Sequence, residues 1–200
     1  MIKLRKAEDF LISFETAEYS KNDKNKSWRF IYDWLDSLIY AIILILVIFA
    51  FVFRVVGVNG DSMNPTLSSG DWLTVSAITS EIETGDIVVI TQPNSLNEPL
   101  IKRVIAKGGD TVNIDFIEGI VTVNGVALYE PYIAEKTELS GDYVYPLEIP
   151  EGYLFVMGDN RNDSLDSRFR TIGLIDERYV LGVAQARIFP IGDWNINNDK

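Results

Sequence analysis

The chain has 200 residues, 47% hydrophobic and 24% charged, the composition of a packed protein rather than a disordered one. Its formal net charge of −11 argues against a nucleic-acid partner, because phosphate binding needs a basic surface. It has neither cysteine nor histidine, which excludes disulfides, thiol nucleophiles, the Ser–His–Asp triad and zinc sites built on those side chains.

Residues 1–27 are mixed in charge and lack a sustained apolar face, so a short, partly helical or disordered tail is expected there. Ser37 to Phe53, SLIYAIILILVIFAFVF, then carries no charge over 17 residues. As a helix it would span about 26 Å, close to the thickness of a hydrocarbon core. It is apolar on every face, unlike an amphipathic core helix. No small-x-small exit site follows Ala50, so an uncleaved signal anchor fits better than a removable leader. Lys21, Lys24, Lys26 and Arg29 precede the span, and only Arg54 closely follows it. The positive-inside rule places the N-terminus in the cytoplasm. The expected organisation is a cytoplasmic tail over 1–36, a transmembrane signal anchor over 37–53, and an extracytoplasmic β-rich domain over 54–200. Trp28, Tyr32 and Trp34 suit the inner interface. Residues 1–36 hold seven basic and seven acidic side chains and residues 54–200 hold 11 and 22, so the whole negative charge belongs to the outer domain.

Beyond the span the pattern changes to short β-branched and aromatic runs with turn signals. Candidate strands are Val55–Val58, Trp72–Ile78, Asp86–Thr91, Leu100–Ala106, Thr111–Phe116, Ile120–Val123, Tyr153–Val156 and Tyr179–Phe189. Asn124–Gly125 marks a two-residue hairpin, because both positions of such a turn need positive φ. No long amphipathic helix is visible, and the fold class expected is mostly β, antiparallel.

Three segments carry candidate chemistry. Gly60-Asp61-Ser62-Met63-Asn64-Pro65-Thr66 is either an ordinary turn or one that presents the Ser62 hydroxyl beside backbone N–H groups. In Leu100-Ile101-Lys102-Arg103-Val104-Ile105, alternation puts Lys102 on the face of Leu100 and Val104. There it either reaches solvent or is desolvated, which disfavours the ammonium and lowers its pKa as a general base requires. Gly158-Asp159-Asn160-Arg161-Asn162-Asp163-Ser164-Leu165-Asp166-Ser167-Arg168 is rich enough in oxygens for a calcium loop, but its spacing is not that of an EF-hand. Alternatively it is a hydrogen-bonded brace, with Ser164 orienting an amine and Asp166 paired with Arg168.

Taken together, these segments resemble the boxes of bacterial type I signal peptidases, in the compact Gram-positive form. Gly60–Leu67 is similar to the nucleophile box, Gly85–Val89 to a structural strand box, Ile101–Val104 continuing to Gly109–Asp110 to the general-base box, and Gly158–Arg168 to the last box. The four stand in family order behind one hydrophobic span, and the likeness runs to about residue 190. The resemblance implies an antiparallel β-sheet catalytic domain of signal-peptidase type. It makes Ser62 the nucleophile and Lys102 the general base. Ser164 would hydrogen-bond the lysine amine, and Asp166 and Arg168 would brace that loop. Met63 and Ile101 would line a small substrate pocket, and Gly158, Asp159, Asn160 and Arg161 would be structural. Gly60 stands where many members carry a serine whose hydroxyl completes the oxyanion hole, so another donor, such as an N–H of this turn, is expected to replace it.

The implied function is removal of N-terminal signal peptides from secreted preproteins after small residues at −3 and −1. The chemistry needs no metal or cofactor. The implied partners are signal-peptide-bearing preproteins, the lipid bilayer and a secretion translocon nearby, and the implied location is the cell membrane. Trp72 and Leu73 either dip into the lipid surface or pack in the core. The competing readings are a non-catalytic signal-peptidase-like factor for pilus or surface-protein assembly, a self-cleaving repressor and a calcium-binding module. Together Ser62 and Lys102 argue against the first, and the hydrophobic span argues against the second.

Overall fold

The computed structural model describes residues 31–47, 53–76, 81–93, 96, 98–192 and 196. The chain divides into two units, Met1–Phe49 and Ala50–Lys200. In the first, residues 31–47 are helical and exposed throughout. Tyr32 and Trp34 stand on the same helix as the apolar run that begins at Leu38. The expected span over 37–53 is only partly covered: residues 48–52 lie outside the described residues, and Phe53 opens a strand. The basic flank Lys21–Arg29 also lies outside the described residues. Among the described residues no helix is long and apolar enough to cross a membrane.

The second unit is antiparallel β. Its strands are β1 (Phe53–Gly57), β2 (Trp72–Ser76), β3 (Ile87–Ile90), β4 (Leu100–Lys107), β5 (Thr111–Asp115), β6 (Ile120–Val123), β7 (Val126–Ala127), β8 (Leu147–Glu148), β9 (Tyr153–Met157), β10 (Ile175–Asp176) and β11 (Val180–Phe189). A seven-stranded sheet runs in the order β1-β2-β11-β3-β4-β9-β10, and a four-stranded sheet in the order β7-β6-β5-β8. The stretches read as strands from sequence correspond to β1–β6, β9 and β11. The predicted hairpin joins β6 to β7, with Asn124 at φ 54° and Gly125 at φ 79°.

Alternation along the strands sorts the core. β3 sits inside the large sheet and reads IVVI, buried on both faces as an uninterrupted apolar run requires. Ile87 and Val89 join one cluster with Val58, Met63, Leu67, Leu73 and Val75. Val88 and Ile90 join a second with Leu100, Val104, Leu154 and Val156. A third, built on Ile105, Val112, Val121, Phe155 and Met157, ties β4 and β9 to the small sheet. Leu73 is thus core, whereas Trp72 is exposed, as alternation along β2 dictates. A fully buried Leu or Ile stabilises such a core by roughly 1.5–3 kcal/mol.

Two pairing details position the site. β1 is an edge strand, paired only with β2. β9 pairs with β4 only from Arg103 onward, so the Leu100–Lys102 stretch is laddered to β3 alone.

Candidate active site

Lys102 stands opposite Val88 in the β3–β4 register and is flanked on its own face by Leu100 and Val104. The alternation read from sequence therefore places the amine over an apolar surface. Only 3% of the residue is exposed. Burial pulls its pKa down to about 8; Asp166 and Asp159 oppose the shift, and Arg168 adds to it. At that value about one molecule in ten is neutral at pH 7, against about one in a few thousand for an ordinary lysine. Lys102 Nζ lies 2.5 Å from Ser62 Oγ.

The loop carrying Ser62 leaves the β1 side of the sheet and is folded by local bonds. Asn64 N donates to Asp61 O, and Leu67 N to Met63 O. Met63 is buried in the first core cluster, which fixes the residue beside the serine. Across the loop, Asn160 N donates to Ser62 O at 3.0 Å and Asn160 Nδ2 to Asp61 O at 3.1 Å. Thr66 Oγ1 donates to Asp159 Oδ2 at 2.5 Å. Gly158 is required here for space, not for conformation: a Cβ would lie 2.3 Å from both Ser62 O and Ser164 Oγ.

The 158–168 loop proves to be a brace. Arg103 Nε and Nη2 bond both oxygens of Asp159, at 2.8 and 2.7 Å. Arg168 Nε and Nη2 bond both oxygens of Asp166, at 2.8 and 2.9 Å. Gly158 N donates to Asp166 Oδ2 at 3.0 Å. Asp159 and Asp166 are thus committed to guanidinium groups rather than free as calcium ligands, and no cluster of carboxylates able to hold a metal occurs among the described residues. A further buried pair, Arg161 with Glu130 at 2.6 Å, was not foreseen from the sequence. These three pairs neutralise one another, leaving Lys102 as the additional buried cation. A protonated amine would carry an unmatched charge into a desolvated cluster, and this disfavours the ammonium.

One expectation is overturned. Ser164 does not hold the amine: among the described residues its buried Oγ has no hydrogen-bond partner, and it lies where a Cβ on Gly158 would stand. Within the turn expected to supply the second donor, the Gly60 N–H is directed to Ser69 Oγ at 3.4 Å. Gly60 itself sits at φ 95°, in the left-handed region that favours glycine.

A cleft of about 410 Å³ opens beside Ser62 and Lys102. Val56, Gly57 and Val58 form one wall, Leu100 and Ile101 the other, and Met63 and Leu165 complete the apolar lining. The expected pocket residues Met63 and Ile101 therefore meet in one cavity with the serine and the lysine. Its two walls come from an edge strand and from the incompletely laddered part of β4, a geometry open to an extended peptide.

The model of the family described as "Signal peptidase, peptidase S26" matches residues 31–189. A protein named signal peptidase I from Bacillus licheniformis is 38% identical over 189 residues, covering 89% of this chain and 97% of its own length. Signal peptidase I T of Bacillus subtilis strain 168 is 36% identical over 184 residues, covering 86% and 92%. Among solved structures, a signal peptidase I from Enterococcus faecalis V583 is 30% identical, covers 52% of this chain and 97% of its own, and superposes with a TM-score of 0.43. The chain belongs to the signal peptidase family, peptidase S26.

Proposed function

We propose that this protein is a membrane-bound serine endopeptidase that removes N-terminal signal peptides from secreted preproteins, with Ser62 as nucleophile and Lys102 as general base. The observation that carries the reading is the buried amine 2.5 Å from the serine hydroxyl, at the end of an apolar cleft. The substrate enters extended, between the walls formed by β1 and β4, with small residues at −3 and −1 facing Met63 and Ile101. Neutral Lys102 takes the Ser62 proton as Oγ attacks the scissile carbonyl. The tetrahedral oxyanion collapses, and protonated Lys102 gives its proton to the leaving amine. Water then hydrolyses the acyl-enzyme, activated by the same amine, which follows triad logic with lysine in place of histidine.

The finer topology belongs to the same proposal. Residues 37–53 anchor the chain, the 1–36 tail is cytoplasmic, and the β unit faces outward, close to the translocon that delivers the substrate. Holding enzyme and substrate in one bilayer raises their effective concentration.

The test is to produce Ser62→Ala and Lys102→Ala together with a secreted preprotein. Each is expected to halt processing while the protein remains folded and inserted. Normal processing by folded Lys102→Ala would remove the mechanism.

A further inference from the structure

Glu130 and Tyr132 lie on the chain between β7 and β8, far in sequence from the serine and the lysine. Both nevertheless hold arginines that support the site. Arg161 Nη2 donates to Glu130 Oε1 at 2.6 Å and Nη1 to Thr137 Oγ1 at 3.0 Å, while Nε donates to Gly158 O at 3.1 Å. The Tyr132 ring covers the face of Arg103, with 3.9 Å from its Cζ to the ring centroid. Tyr132 Oη donates to Glu130 Oε1 at 3.2 Å, which joins the two contacts. Arg103 follows Lys102 on β4 and grips Asp159, which in turn accepts from Thr66 on the serine loop.

We propose that Glu130 and Tyr132 are positioning residues for the reaction, forming a clamp between the strands of the small sheet that keeps β4, the 158–168 loop and the serine loop in register. The inference rests on the Ser62–Lys102 reading. Asp159 holds one edge of the Arg103 guanidinium, and Tyr132 seals its face. Without the ring, water reaches the Arg103 guanidinium on the opposite face of β4, its grip on Asp159 slackens, and the strand loses a support within one residue of the desolvated amine. The groups facing Lys102 are Ser62 from its loop, Val88 from β3, and Asp159, Asp166 and Arg168 from the last loop. Neither clamp residue is among them, so any effect on the amine must pass through Arg103 and Arg161.

The experiment uses the full chain in detergent micelles and a peptide substrate with small residues at −3 and −1. Rate constants, pH profiles and far-UV circular-dichroism melting are measured together. Tyr132→Leu is expected to lower kcat by about 10- to 100-fold with KM changed less than about threefold, since an ångström of misplacement costs on that order. The activity midpoint should rise by about half a pH unit as the loosened packing of β4 and the Asp159 loop admits water to the amine. Tyr132→Phe, which keeps the ring face, should restore both quantities to near the wild-type values. Should Tyr132→Leu not fold, Glu130→Asp keeps the charge and shortens the reach, and an expected loss of about tenfold in kcat then decides. Folded variants with kcat within about twofold of wild type and an unmoved midpoint would overturn the clamp, as would losses that merely follow the unfolded fraction. Failure of the underlying reading has a different signature: cleavage that survives in Ser62→Ala with the clamp intact.

Discussion

Lys102 carries two opposing demands. Its site must be dry enough to release the proton, yet a dry site weakens the fold whenever the amine is charged. The folded pKa of about 8 lies below the 10.5 of an ordinary lysine, so between those values the unfolded chain binds the extra proton. Stability from this group is therefore fully present above about 10.5 and is lost as pH falls through 8. Complete protonation corresponds to a penalty of about 3 kcal/mol, an order-of-magnitude figure. Lys102→Met, of similar volume and without charge, should be inactive and more stable than the parent at pH 7. Its advantage should shrink as pH rises above 8. Denaturant melts at pH 7 and pH 10.5 measure this difference, and an equal gap at both would show that desolvation is not what shifts the amine. The same shift sets the activity profile: cleavage should rise with pH through a midpoint near 8.

At the scale of elements, the site is a meeting of two loops on one strand, and close packing rather than a regular ladder aligns them. Gly158 is a tight point of the site, where a Cβ would meet Ser62 O and Ser164 Oγ. Gly158→Ala should lower kcat by more than about 100-fold, because one of the two nearest obstructions, Ser62 O, is backbone and the serine loop must move to admit the methyl. A circular-dichroism melt run beside the assay separates misalignment from unfolding, and a fully active, normally folded variant would contradict this packing. Much of the framework was legible in the sequence. The IVVI run of β3 and the Asn124–Gly125 turn declare themselves through local chemistry that acts within a few residues. That turn also announces β7 as its second arm, whereas β8 and β10 leave no signal, because strands of two residues have no period to detect. Alternation and motif spacing placed Ser62 and Lys102. The same means could not reveal Glu130 or Tyr132, whose partners Arg161 and Arg103 become neighbours only through the tertiary fold. The role first assigned to Ser164 illustrates the converse: a motif names a hydroxyl but not the direction of its rotamer.

At the scale of the whole molecule, charge is divided in a way that bears on orientation. Residues 1–36 carry equal numbers of basic and acidic groups, whereas residues 54–200 carry 11 basic against 22 acidic. The positive-inside bias depends on Lys and Arg close to the span and takes little account of acidic groups, so the neutral sum of the tail does not weaken it. Large domains also translocate with little regard to their charge, which leaves the short N-terminal flank as the deciding segment. Tyr32 and Trp34, exposed on the helix just before the apolar run, suit the inner interface. Replacing Lys21, Lys24, Lys26 and Arg29 by Gln leaves Arg54 as the basic residue nearest the span. A growing share of chains should then insert with the β unit inside the cell. Protease added to intact spheroplasts should digest less of that unit, and preprotein processing should fall in proportion. Peptide cleavage after detergent solubilisation should stay at the parent level, since no part of the serine–lysine site is altered. If the β unit were equally protected in parent and variant, the outward orientation would be wrong. If protection changed without loss of processing, contact with translocated substrate would not depend on the side of the membrane that the β unit occupies.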